Sequence, residues 1–235
     1  MTALVSVYTG EGFVFGADGR RSAADRVMAR DDVQKIYGCR AINVRALFGC
    51  AGYATFGDFR GDFSLWVNAL AIIEGCESKG FEDMKDYGDG IATSLCVRMR
   101  SHLNASSSKL DPSLKDLATL AFVGYVNGEP QSVQIRLSAD RGFINEPRVL
   151  CSHNPPLPSL NVTSLCRTAR ESYDSLVARD EIRPCATLTD GSVLIQKYVQ
   201  MCADEQTGGL NPIGGHIHIA AITPSDLEWM VPPKP

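Results

Sequence analysis

The stretch 117–137 constrains the fold more than any other part of the sequence, because it predicts a long β-hairpin. Residues 117–126 form a nearly continuous apolar run, and residues 131–137 alternate polar and apolar side chains. Asn127 and Gly128 lie between the two runs, and Asn-Gly is the dipeptide that a tight type I′ hairpin turn favours. A strand that alternates in this way covers a core with one face. The chain is therefore predicted to contain a large antiparallel sheet.

A second hairpin is predicted at the start of the chain. Residues 4–8 and 13–17 are short apolar runs, and residues 9–12, Thr-Gly-Glu-Gly, have the composition of a turn. Runs of this length with glycine-rich punctuation are typical of paired strands. Thr2 and Asp18 consequently lie across from each other at the open end of this hairpin.

The order of the remaining elements argues against a doubly wound parallel sheet. Apolar residues recur at helical spacing in four segments, and other segments are short and apolar enough for strands. The predicted strands are 35–37, 45–48, 148–152, 216–222 and 229–231, and the predicted helices are 53–77, 86–103, 164–178 and 190–203. Strands, two helices, strands, two helices and strands do not form an alternating βαβ pattern. We predict an α+β fold of two stacked, mainly antiparallel sheets between helix layers.

Composition narrows the class of protein. With 235 residues, of which 44% are hydrophobic, the chain can bury one sizeable core, so a single domain spanning 1–235 is expected. The net charge of −4 and the lack of any basic block argue against a nucleic-acid partner. No apolar run approaches the roughly 18 residues of a membrane span, and the start lacks a secretory signal pattern. We expect a cytoplasmic protein with no membrane partner.

The cysteines and histidines do not predict a metal site. Eight cysteines are scattered without a C-x-x-C pair, which fits neither a zinc site nor a disulfide scaffold. His216 and His218 alternate on one predicted strand, but no third ligand has a matching spacing. We expect reduced, buried thiols, ordinary strand histidines, no metal and no cofactor.

Thr2 has the chemistry of a self-sufficient nucleophile. A threonine after the initiator is small enough that Met1 is ordinarily removed, which leaves a free α-amine beside a hydroxyl. An N-terminal amine has an unperturbed pKa of about 7.7–8.0, so it accepts the hydroxyl proton near neutral pH without a histidine. Thr2 is therefore a candidate nucleophile that carries its own base.

The sequence resembles the proteasome β subunits and the bacterial HslV peptidase. The resemblance rests on Thr2, on Asp18 followed by Gly-Arg-Arg-Ser, on Lys35 within 33–37, and on Gly-Cys-Ala-Gly at 49–52. The glycine pair and apolar strand at 214–222 extend it to the end of the chain. The resemblance implies a four-layer αββα sandwich, the N-terminal-nucleophile hydrolase fold.

In that family, the N-terminal threonine attacks a peptide bond beside a lysine ammonium. The resemblance assigns this lysine to Lys35 and the carboxylate that holds it to Asp18. It assigns the backbone N–H of the oxyanion hole to Gly52, with Gly49 as the alternative. Cys50 would then line the pocket for the residue before the scissile bond.

The resemblance implies four further roles. Ala54 would line the same pocket as Cys50, which would favour small or apolar residues. Ser152 is the best match for a serine near the nucleophile, and Asp190 and Ser192 are the candidates for its supporting pair.

The function implied is that of a threonine-type endopeptidase acting on peptides or unfolded proteins. The family encloses its sites in rings, so we expect a homo-oligomeric double ring of twelve to fourteen subunits, with an open helical assembly as the alternative. Competing interpretations are an inactive or structural ring subunit and an amidohydrolase of small amides. The sequence does not identify a regulatory ATPase, a native substrate or a cleavage preference.

Overall fold

The computed structural model describes residues 2–22, 28–52, 55–56, 63–106, 110–163, 167–204 and 213–234. The helices are α1 (Leu65–Glu74), α2 (Met84–Ser106), α3 (Arg167–Ala178) and α4 (Leu188–Asp204). The strands are β1 (Leu4–Tyr8), β2 (Phe13–Asp18), β3 (Arg21–Ser22), β4 (Met28–Arg30), β5 (Ile36–Arg40), β6 (Val44–Gly52), β7 (Thr55–Phe56), β8 (Phe63–Ser64), β9 (Asp116–Val126), β10 (Glu129–Asp140), β11 (Phe143–Ile144), β12 (Arg148–His153), β13 (Ser159–Thr163), β14 (Ile217–Ile222) and β15 (Leu227–Val231).

The first sheet is built around the N-terminal hairpin and has the strand order β13-β1-β2-β14-β15. All of its neighbouring strands are antiparallel. Leu4 lies opposite Ala17 in the predicted hairpin, and Ile217 of β14 lies opposite Asp18. The start of β1, the end of β2 and the start of β14 therefore lie side by side at the same end of the strands.

The second sheet is built around the long hairpin of β9 and β10. Its strand order is β11-β10-β9-β6-β5, and β12 also pairs with β10. Asn127 and Gly128 have φ values of 54° and 84°, the positive values that a type I′ turn requires at both central positions. The prediction for this hairpin is confirmed.

Three apolar layers hold the two sheets and the helices together. Between the sheets, Leu4 and Phe15 of the first sheet pack with Leu47 of the second. The outer face of the second sheet packs against α1 and α2, and the outer face of the first packs against α3 and α4. The predicted α+β fold, an αββα sandwich, is confirmed.

Several elements differ from the sequence prediction, chiefly the first helix and short strands such as β13. The first helix was expected over 53–77, but it begins after Ser64, whose hydroxyl accepts a hydrogen bond from the Val67 N–H at 3.3 Å. The short β7 and β8 pair precedes it. Strand β13 was not predicted, because Ser-Leu-Asn-Val-Thr is short and carries little periodicity. Its pairing with β1 holds it in the sheet.

Close approach of β9 to β6 requires a glycine at position 124. A Cβ on Gly124 would lie 2.2 Å from the backbone oxygen of Arg45 and 2.6 Å from the Ala46 Cα. We predict that Gly124→Ala lowers the free energy of unfolding by about 1–3 kcal/mol, because the strands must separate. Urea denaturation measures this change.

Gly90→Ala is the matched control: no atom lies within 4 Å of its added Cβ, so this exposed helical position should gain stability. Equal effects of the two changes would contradict the prediction.

Candidate active site

A buried carboxylate lies at the end of the first sheet where β1 starts and β2 ends. Asp18 is fully buried. Its Oδ1 accepts the Ala3 N–H at 2.9 Å, and its Oδ2 accepts the N–H groups of Arg20 and Gly214, each at 3.3 Å. Because the Ala3 N–H belongs to the peptide group that joins Thr2 to Ala3, the carboxylate sets the position of Thr2. Thr2 is itself buried.

Lys35 forms an ion pair with this carboxylate. The Lys35 Nζ lies 3.1 Å from the Asp18 Oδ1, and the two side chains are 8% and 0% exposed. The same ammonium donates to the backbone carbonyl of Arg20 at 2.5 Å. An exposed pair of this kind contributes little, whereas a buried one persists only when hydrogen bonds compensate both charges. The structure therefore places Thr2, Asp18 and Lys35 close together, the three residues to which the resemblance assigns the nucleophile, the carboxylate and the lysine.

The environment of Asp18 combines opposing electrostatic effects. Burial raises the pKa of Asp18 above its ordinary value, while Lys35 and the N–H groups of Ala3 and Gly214 oppose that rise. The carboxylate is thus costly to ionise without its partners. The ammonium of Lys35 is the compensating charge, so the two groups depend on each other.

Two glycine-containing segments carry backbone donors to Asp18: the turn after β2, with Gly19 and Arg20, and the segment before β14, with Gly214 and Gly215. The Arg20 N–H donates to the Gly214 carbonyl at 2.9 Å, and the Arg20 guanidinium forms a two-pronged contact with Asp31 at 2.6 and 3.1 Å. Gly215 has a φ of 74°, and a Cβ there would lie 2.5 Å from the Asp31 carbonyl. The segment before β14 is therefore held against the turn after β2. Sequence reasoning noted the glycine pair but assigned it no place in the site.

Sequence reasoning also missed His218, which it took as an ordinary strand residue. The buried imidazole accepts the Lys35 backbone N–H on Nε2 at 2.9 Å. Burial, followed by the charges of Lys35 and His216, lowers the pKa of His218 to about 4. The ring is neutral at neutral pH, which leaves Nε2 free to act as an acceptor. The one sequence signal that could have identified this contact is a histidine on the inward-facing side of an apolar strand.

The end of β6 provides backbone groups near Lys35. Strand β5 pairs with β6 only as far as Ile36 opposite Gly49, whereas β9 pairs with β6 up to Gly52. Alternate N–H groups of Cys50–Gly52 therefore point away from β9, toward the side on which Lys35 lies. Gly52 has a φ of 122°, and a Cβ there would lie 2.6 Å from the Leu117 carbonyl.

Of the two candidate oxyanion residues, Gly49 is the less suitable. It lies within the ladder, with Ile36 on one side and Ala121 on the other. A Cβ on Gly49 would lie 3.0 Å from both Leu4 and Phe15, so this glycine allows the two sheets to pack closely. The geometry favours Gly52, at the end of the strand, for the predicted role.

Only one of the two predicted pocket residues lies in a described part of the chain. Cys50 is buried in the layer between the second sheet and the helices α1 and α2. Burial raises the pKa of its thiol to about 12, so it presents an uncharged, apolar surface at neutral pH. Ala54 lies outside the described residues.

The structure does not bring Ser152 to this site. Ser152 is exposed on β12 and pairs with Ser132 of β10. In the order β12-β10-β9-β6-β5, four strand spacings separate it from the strand that Lys35 precedes, a distance of about 19 Å.

Asp190 and Ser192 also lie away from the site. Asp190 accepts the N–H of Thr187 at 3.0 Å and its hydroxyl at 2.8 Å, so it caps the start of α4. That start contacts the turn of the first hairpin, since the Leu188 N–H donates to the Glu11 carboxylate at 2.8 Å. The length of β1, about 23 Å from residue 9 to residue 2, separates this turn from Thr2.

Other classes of site are not found among the described residues. In those parts of the chain, no group of three or more His, Cys, Asp and Glu side chains is arranged to hold a metal ion. The described cysteines are free, and most of them are buried. No described helix combines the length and the apolar character needed to cross a membrane.

The fold is that of a known class. The αββα architecture, with its open hairpin end, is the N-terminal-nucleophile hydrolase fold in its proteasome-like form. No protein-family model and no curated protein matches the sequence.

Solved structures of Anbu proteins have the same fold. The helical assembly of the Anbu complex from Pseudomonas aeruginosa has a TM-score of 0.65 at 10% identity and covers 99% of this chain and 87% of its own. A Gly-1 mutant of Anbu from Hyphomicrobium sp. strain MC1 has a TM-score of 0.63 at 13% identity, covering 97% and 85%. Anbu, an ancestral beta-subunit, from Yersinia bercovieri has a TM-score of 0.63 at 9% identity, covering 97% and 87%. At these identities the likeness establishes the fold.

The mutual dependence of Asp18 and Lys35 is testable by a double-mutant cycle. We predict that Lys35→Met and Asp18→Asn each lower the free energy of unfolding by about 3–5 kcal/mol, because each leaves the other charge buried without its partner. The double variant should lose clearly less than the sum, and chemical denaturation of the four proteins measures the difference. Additive losses would show that the two side chains are not coupled.

Proposed function

We propose that this protein is a threonine-type peptidase whose nucleophile is Thr2. The observation that carries the proposal is the buried Asp18–Lys35 pair, which contacts the peptide group directly after Thr2. An apolar core gains nothing from a buried ion pair unless the pair has another role, since apolar residues of similar volume are often as stable. In a fold whose nucleophile is the first residue, an ammonium beside residue 2 has such a role.

The proposed reaction begins once Met1 is removed. The Thr2 hydroxyl transfers its proton to the α-amine, and Oγ attacks the carbonyl carbon of the scissile peptide bond. The tetrahedral intermediate collapses when the leaving amine takes the proton, which breaks the C–N bond and leaves an ester on Oγ. Water, deprotonated by the same amine, then attacks the ester carbonyl. The bond between the acyl carbon and Oγ breaks, the protonated amine returns its proton to Oγ, and the acyl fragment leaves as a carboxylic acid.

Three residues support this chemistry in the proposal. The Lys35 ammonium stabilises the negative charge that develops on Oγ, and Asp18 keeps that ammonium charged and in place. The Gly52 N–H donates to the oxyanion of the intermediate. A single oxyanion donor of this kind typically contributes about 10²–10³ in rate.

The substrates proposed are peptides and unfolded proteins. Cys50 would form an uncharged wall of the pocket for the residue before the scissile bond, together with Ala54. Such a wall fits small or apolar side chains. We expect the reaction to take place in the cytoplasm, without a metal or cofactor.

We further propose that copies of the chain enclose the site. Each helix exposes a valine to the outside of the sandwich: Val67 of α1 is 62% exposed, Val97 of α2 56%, Val177 of α3 49% and Val193 of α4 60%. Both outer layers therefore carry apolar surface, as self-association requires. The Anbu complex from Pseudomonas aeruginosa is a helical assembly. A closed double ring and an open helix are the two arrangements that we consider.

The nucleophile is tested by mass, by labelling and by substitution. We predict an intact mass without Met1 and an adduct of one β-lactone or peptide epoxyketone per chain on Thr2. Thr2→Ala should abolish both peptide hydrolysis and the adduct while the fold survives, because the side chain is a nucleophile rather than core. Thr2→Ser, which retains a hydroxyl, is the matched control and should retain activity.

Four outcomes would each contradict a part of the proposed function. Active protein that retains Met1 has no free amine at Thr2. Lys35→Ala with wild-type turnover would reduce Lys35 to a structural role. A correctly processed protein that forms no adduct would instead be an inactive or structural subunit, and turnover of small amides but not of peptides would identify an amidohydrolase.

The assembly is tested by light scattering coupled to size exclusion. We predict particles much larger than a dimer, with twelve to fourteen subunits for the closed double ring. Val97→Asp and Val193→Asp should shrink the particle, because a carboxylate is costly to bury in a contact between copies. Val97→Thr and Val193→Thr keep the shape without the charge and should assemble normally. A monomer or dimer that cleaves peptides at the full rate would contradict enclosure.

A further inference from the structure

His218 lies on the face of β14 that looks toward the second sheet. Ile219 packs with the α3 and α4 layer, whereas Ala220 and Ile222 pack between the sheets. Side chains alternate along a strand, so His218 shares the face of Ala220 and Ile222. A polar ring is costly at such a position unless its nitrogens are hydrogen-bonded.

The hydrogen-bond partner of this ring is part of the site. Its Nε2 accepts the Lys35 N–H at 2.9 Å. His218 lies opposite Ala17, one residue before Asp18. The ring thus extends from the first sheet to the chain that enters the second.

The Lys35 N–H has no place in the ladder of the second sheet. Pairing of β5 with β6 begins at Ile36, opposite Gly49. The imidazole supplies the acceptor that the ladder does not, at the residue whose side chain carries the ammonium. Lys35 is therefore held at two points: its main chain by His218, and its Nζ by Asp18 and the Arg20 carbonyl.

We propose that His218 is a positioning residue for Lys35, whose Nε2 holds the Lys35 backbone and so sets the distance between the ammonium and Thr2. This inference rests on the proposed function, in which Lys35 activates Thr2. His218 does not touch substrate and transfers no proton. Its neutral ring is suited to the task, since only an unprotonated Nε2 accepts a hydrogen bond.

Three variants separate the hydrogen bond from the packing of the ring. His218→Met fills a similar volume but offers no comparable acceptor. His218→Gln places an amide oxygen close to the position of Nε2. His216→Gln is the matched control, because His216 directly precedes the same strand and its ring contacts the Pro232 carbonyl at 2.7 Å rather than Lys35.

The expected result is a loss in kcat that glutamine repairs. A displaced catalytic group typically costs up to about 100-fold in rate, so kcat of His218→Met should fall by about 10- to 100-fold while KM stays nearly constant. His218→Gln should recover most of kcat, and His216→Gln should match wild type. If His218→Met does not fold, His218→Asn, whose shorter amide does not reach the Lys35 N–H, takes its place with the same expectation. Equal kcat values for the methionine and glutamine variants would overturn the proposal.

Hydrogen exchange of the Lys35 backbone amide tests the proposal without an activity measurement. The amide should be protected in wild type and in His218→Gln, and should exchange faster in His218→Met or His218→Asn. Unchanged protection in these last two variants would overturn the proposal. A wild-type protein that forms no adduct on Thr2 but shows this pattern would refute the proposed peptidase and leave the positioning role established.

Discussion

The buried ion pair between Asp18 and Lys35 is the interaction on which the candidate site depends. Burial raises the pKa of the carboxyl, so its ionised form requires the ammonium and the backbone donors that surround it. Those donors come from the start of β1, the turn after β2 and the segment before β14. The charge on one carboxylate therefore requires three parts of the chain to converge, one of which lies 196 residues away in the sequence.

The architecture explains how this convergence is possible. The N-terminal hairpin opens and β14 begins at the same end of the first sheet, and β5 begins and β6 ends at the adjoining end of the second. Close packing of the two sheets, allowed by Gly49 against Leu4 and Phe15, brings these ends together. Thr2, the Lys35 ammonium and the backbone donors thus lie at or next to the ends of rigid strands, which hold positions more accurately than loops do.

The opposite end of the molecule shows why residue type alone does not identify a site. Asp190 and Thr187 form a reciprocal cap at the start of α4, and Glu11 of the first hairpin adds a further acceptor. Acidic and hydroxyl side chains serve there to complete backbone hydrogen bonds, a common use at helix starts. The same residue types would support a nucleophile only if the helix began beside Thr2.

The sequence by itself determined the two hairpins and most of the helices. Turn chemistry at Asn127 and Gly128 and the apolar runs around residues 9–12 are local signals, and local signals survive without knowledge of the fold. Asp18 and Lys35 were assigned from the resemblance to a known family, whose landmarks occur in the same order in this sequence, and Thr2 also from the chemistry of an N-terminal threonine. Only the tertiary structure decided where Ser152, Asp190 and Ser192 lie, since their places depend on strand order and helix direction. It also disclosed β13 and the His218 contact with Lys35, which join residues 183 positions apart. Long-range pairing of this kind leaves no periodic trace in the sequence.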